Sequence, residues 1–77
     1  MNRQAIQDKI MEIAEEVIGV SIQENEPLKE CGVDSLSLVT LIVSVEEAFS
    51  ISFLDDDLQP EKLRRLVDLV AITEKYV

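Results

Sequence analysis

Few side chains in this sequence could do chemistry, and most lack the neighbours that a reaction needs. The exception is Gly32-Val33-Asp34-Ser35-Leu36, where an aperiodic stretch gives way to a helical pattern. Asp34 is a good N-cap, because its carboxylate can accept from the unpaired amides of a first turn. Ser35 then occupies the first helical position, exposed beside the positive end of the helix dipole. A phosphodiester formed there gains about 0.3–1 kcal/mol from that end. Gly32 lets the chain turn closely before the cap. The same residues also suit an ordinary helix-start serine, so the stretch alone does not decide between the two. Cys31 could be a nucleophile only with a base, yet the chain has no histidine and no base is identified for it. It reads as a small apolar filler. Asp55-Asp56-Asp57 lacks the spacing, glycine and closing glutamate of a calcium loop and reads as a solvated acidic turn. No triad and no zinc set is present, so a non-catalytic protein without a metal site is expected.

Helices must position that serine. Ile6, Ile10, Ile13, Ala14, Val17 and Ile18 form one stripe of a first helix, with Asn2 as N-cap and Gly19 as stop. Asp8, Lys9, Glu12, Glu15 and Glu16 take its solvent side. Val20 to Val33 lacks a period and reads as a long ordered loop tied down by Val20, Ile22 and Leu28. The second helix runs from Asp34 or Ser35 to about Ser50. Leu38, Leu41, Ile42, Val45 and Phe49 form its core stripe. Leu36, Val39 and Val43 form an extra apolar flank that either packs inside the bundle or meets a partner. Ile51 to Leu54 is a short apolar bridge with nothing to pair with as a strand. A short third helix is expected within Asp55 to Arg65, since Pro60 and Glu61 suit a first turn. The last helix spans about Leu66 to Tyr76, with Leu66, Leu69, Val70, Ile72, Thr73 and Tyr76 inward and no evident cap before it. The expected fold is all-α: a small antiparallel bundle of three main helices plus one short helix.

Composition narrows the function. A chain of 77 residues fits one compact domain over residues 1–77. Such a domain buries only about 60% of its unfolded surface, so its core is too thin to enclose a substrate with a full catalytic set. An apolar share of 47% argues against disorder. A net charge of −9 repels phosphate backbones and anionic lipid, which argues against nucleic-acid and membrane roles. It either aids solubility or steers the chain towards basic patches on partner proteins. Met1 to Lys9 holds no apolar signal stretch, and no run approaches the roughly 18 apolar residues of a membrane span. One cysteine permits no internal disulfide. A cytoplasmic monomer is expected.

Asp34-Ser35-Leu36 behind Gly32, ahead of an apolar helix ending in Glu46-Glu47-Ala48-Phe49, resembles the acyl carrier protein family. The likeness extends from the first helix to the last and includes the acidic stretch before the final one. It implies that Ser35 accepts 4′-phosphopantetheine from coenzyme A, and that the arm's thiol carries the acyl group as a thioester. Asp34 matches the aspartate that helps a phosphopantetheinyl transferase and its metal ion engage the serine. Leu36, Val39 and Val43 match apolar contacts for partner enzymes, and Glu46 and Glu47 match acidic positions on the same recognition helix. The implied partners are the transferase and the enzymes that load, extend and release the acyl group.

Departures from the family pattern bear on the pathway. Ser37 and Thr40 stand where many fatty-acid carriers have acidic residues, and Lys62, Arg64 and Arg65 add a basic cluster. These favour a polyketide-type or other specialised pathway over housekeeping fatty-acid synthesis. The Gly-Val-Asp-Ser pattern lacks the paired glycines of peptidyl carriers, which lowers an aminoacyl or peptidyl cargo on the same Ser35 to the second reading. A small acidic adaptor that binds proteins through the second helix, without a cofactor, is the reading from another class.

Overall fold

A computed structural model describes residues 2–19, 21–23 and 25–77. Three α-helices carry the fold: α1 (Arg3–Ile18), α2 (Ser35–Phe49) and α3 (Leu66–Glu74). Among the described residues there is no strand, only an isolated bridge between Pro27 and Arg65. The expected all-α bundle is present, with α1 packed against both α2 and α3. The Cα radius of gyration is 11.0 Å, close to the roughly 11.5 Å of a compact domain this long.

Local signals set the ends of α1. The Asn2 side chain accepts from the Ala5 N–H at 2.8 Å. Gly19 adopts φ 82° and returns its N–H to the Glu15 carbonyl, which closes the helix without a Cβ penalty. Ile6, Ile10, Ile13 and Ala14 are buried as the stripe requires. Val17 lies at its margin and is exposed.

The stretch before α2 is ordered through its contacts. Leu28–Cys31 forms a 3₁₀ turn that Gly32 ends at φ 84°. Ile22, Leu28 and Val33 are buried in the core, while the expected anchor Val20 lies outside the described residues. The Leu28 N–H donates to the Arg64 carbonyl at 2.8 Å, so this loop is joined to the segment leading into α3.

Leu41, Ile42 and Val45 of α2 are buried, and Leu38 and Phe49 pack against the core from its edge. At the far end Ser50 takes φ 56°. The Ser50 N–H reaches the Glu47 carbonyl and the Ile51 N–H the Glu46 carbonyl, which is the hydrogen-bond pair of a Schellman motif. The connection to α3 differs from expectation. Instead of one short helix it holds two 3₁₀ turns, Asp55–Leu58 and Pro60–Lys62. Gln59 between them is extended at ψ 141°, because a residue before proline is driven out of the α region. Helix α3 begins at Leu66 as expected but ends at Glu74, short of Tyr76. Its missing start signal is Asp68, whose Oδ2 reaches back to the N–H groups of Arg64 and Arg65 at 3.1 and 3.0 Å. That is half of a capping box.

Candidate functional site

Ser35 is the first residue of α2 and is exposed. Asp34 is the N-cap, at φ −84° and ψ −176°, and its Oδ1 accepts from the Ser37 N–H at 2.8 Å. Hydrogen bonds from the Ser37 backbone and side chain hold the Asp34 carboxyl below its ordinary range, so it is ionised at neutral pH. The carboxylate serves the helix end and leaves the Ser35 hydroxyl unengaged. No hydrogen bond ties that oxygen to another group among the described residues. The hydroxyl thus stands in solvent at a positive helix end, beside a fixed negative charge.

Ser35 and Asp34 are among the residues lining a cleft of ≈660 Å³. Leu28, Val33, Leu38 and Leu63 supply its apolar surface, and Lys29 and Arg64 are also on its walls. Sequence reading did not place Lys29 or Arg64 here. The link depends on the Pro27–Arg65 bridge, a contact between segments with no shared local pattern.

The apolar flank of α2 faces outward. Leu36 is 76% exposed, Val39 56% and Val43 45%, which is unusual for residues that could have joined the core. Glu47 is exposed close by. Glu46, expected to act with it, is half-buried and its Oε2 accepts from the Phe53 N–H at 2.8 Å. That carboxylate closes the turn after α2. Ser37 is half-buried, and the Thr40 hydroxyl donates to the Leu36 carbonyl at 3.0 Å, within the helix.

Cys31 packs against the core. Partial burial pushes its thiol up first, and its bond to the Glu26 carboxylate adds to the shift. A thiol of that kind stays protonated and is a poor nucleophile. Asp55 and Asp56 are exposed as expected of an acidic turn. Asp57 is not simply solvated: it accepts from the Tyr76 hydroxyl and pairs with Lys75 at 3.4 Å. No group of three or more potential ligands could hold a metal ion among the described residues. Nor is any described helix long and apolar enough to cross a membrane.

The site thus combines an uncovered hydroxyl, the N-terminal end of a helix and an exposed apolar helix face. Residues 8–71 match the family model described as "Phosphopantetheine attachment site". An acyl carrier protein of Nitratidesulfovibrio vulgaris is 37% identical over 71 residues, covering 87% of this chain and 91% of that protein. One from Desulforapulum autotrophicum is 42% identical over 67 residues, covering 82% of this chain and 84% of that protein. The chain belongs to the acyl carrier proteins, the family whose cofactor is covalently held 4′-phosphopantetheine.

Proposed function

We propose that Ser35 is the attachment point and that the chain presents acyl intermediates to successive enzymes without catalysing a step itself. The observation that carries this is the free, exposed Ser35 hydroxyl at the first position of α2. Attachment would form a bond from Oγ to phosphorus as the pyrophosphate of coenzyme A breaks, the nucleotide half leaving with the other phosphate and the hydroxyl proton passing to a base of the transferase. Once in place, the group supplies a terminal thiol on a flexible arm, to which acyl groups are joined as thioesters.

The residues around Ser35 have separable tasks in this reading. The N-terminus of α2 stabilises the phosphodiester charge that attachment creates. Asp34, held ionised next to the hydroxyl, offers a ligand to the metal ion of a phosphopantetheinyl transferase. Leu36, Val39 and Val43 give that enzyme, and those that load, extend and release the acyl group, an apolar surface. Glu47 adds a charge at the far end of the helix. Glu46 contributes by holding the α2 turn in place. The negative surface speeds encounter with basic partner patches. One carrier domain over residues 1–77, acting as a cytoplasmic monomer, completes the proposal. The single cysteine supports the compartment.

A polyketide-type or other specialised pathway fits better than housekeeping fatty-acid synthesis. Ser37 and Thr40 put no charge on α2, and the exposed Arg64 and Arg65 interrupt the acidic surface. The test is incubation with coenzyme A and a broad-specificity transferase, followed by intact-mass measurement. A gain of one phosphopantetheinyl group, absent in Ser35→Ala, is expected. No gain would leave the cofactor-free adaptor as the better description. Loading of the modified protein by an acyl-transferring enzyme, and not by an amino-acid-adenylating one, separates acyl from aminoacyl cargo.

A further inference from the structure

We propose that the cleft beside Ser35 receives the phosphate-bearing first segment of the arm, with Arg64 and Lys29 as its counter-charges. This rests on the reading that Ser35 carries the arm. The chain has 16 acidic residues against 7 basic ones, so two cations lining one cleft run against its composition. Ser35 lines the same cleft. Neither forms an ion pair among the described residues, where the salt bridges are Arg3–Glu74 and Lys75–Asp57. Two carboxylates share the cleft: Asp34, engaged by the Ser37 N–H, and Glu61, which lies within bridging distance of neither cation.

The backbone around Arg64 is fixed from two sides. Its carbonyl accepts from the Leu28 N–H at 2.8 Å, and its N–H donates to Asp68 at 3.1 Å. The first of these bonds also joins it to the 3₁₀ turn that carries Lys29. The two cations therefore stand on backbone segments joined by a hydrogen bond, while both residues stay exposed. A guanidinium presents a planar fork of donors that matches two phosphate oxygens, and an ammonium adds a point charge. The carbon next to the first methylene of the arm bears two methyl groups. Leu28, Val33, Leu38 and Leu63 offer that branched carbon an apolar surface. A phosphate followed by a branched apolar segment matches a cleft lined by both cations and apolar side chains. Arg64 acts here as a positioning residue.

The test compares amide and arginine side-chain NMR signals of the apo protein with those of the holo protein bearing a free thiol. It uses wild type, Arg64→Ala and Arg64→Lys. Conversion of the wild type is expected to shift signals of Leu28, Lys29, Leu63 and Arg64 as well as those of residues 34–37. Arg64→Ala should lose most of the distant shifts, Arg64→Lys should keep most, and raised salt should diminish them in the wild type. Shifts confined to residues 34–37, or unchanged in Arg64→Ala, would overturn the proposal while leaving Ser35 as the attachment site. Absence of any mass gain would overturn both.

Discussion

Asp34 caps α2 and, on the proposed reading, also assists attachment at Ser35, and substitution can separate the two tasks. Replacing it with alanine removes the acceptor of the Ser37 N–H, and loss of such a cap costs about 1 kcal/mol. An asparagine in its place would still cap but would carry no charge. Denaturant unfolding should therefore show Asp34→Ala destabilised by about that amount and Asp34→Asn near wild type at neutral pH. Both variants should be modified more slowly than wild type. Equal modification rates for Asp34→Asn and wild type would confine the residue to capping. This part of the site was legible because cap, first-turn serine and preceding glycine lie within four positions. Glu46 was not legible in the same way. Its capture of the Phe53 N–H depends on how the chain turns after α2, which a helical-face pattern does not encode.

Helix α2 divides into a face that holds the bundle and a face that does not. Leu41 and Val45 are fully buried, so Leu41→Ala should cost roughly 2–5 kcal/mol in an unfolding titration. Leu36→Ala and Val39→Ala remove exposed side chains and should each change stability by no more than about 0.5 kcal/mol. The same two variants should slow loading by a partner enzyme, measured as kcat/KM. Losses of stability comparable to Leu41→Ala, with loading unaffected, would assign the flank to packing. Periodicity located α1, α2 and α3, because each buries a stripe at helical spacing. It failed between Asp55 and Lys62, where the residue before Pro60 cannot stay helical and the chain makes two tight turns. The cap of α3 was also hidden, since Asp68 supplies it from inside the helix.

At the scale of the whole molecule, the connection after α2 is tied to the end of α3. Tyr76 donates its hydroxyl to Asp57 and accepts from the Leu54 N–H at 3.0 Å, and its ring meets Phe53 edge to face at 5.2 Å. These partners lie 19 to 23 residues apart in sequence, so no local pattern announces the clasp. The Tyr76 hydroxyl is the main reason that the Asp57 carboxyl is held below its ordinary range, and Asp57 in turn raises Tyr76. A depressed carboxyl stabilises the fold above its unfolded pKa, and that contribution is lost as pH falls through the folded value. A raised phenol does the reverse on the alkaline side. The clasp should hold fully between roughly pH 4 and pH 10 and weaken beyond either limit. Thermal unfolding across pH should show Tyr76→Phe with a shallower acid decline than wild type, the remainder coming from Asp34 and from the pairing of Asp57 with Lys75. Parallel acid profiles would remove the clasp from the stability of the fold. On the proposed reading this framework offers a single hydroxyl to another enzyme, and peptide fragmentation of the transferase-treated protein tests that most directly. The phosphopantetheinyl increment should map to residue 35 alone. Its appearance on Ser37 or any other hydroxyl would contradict the account.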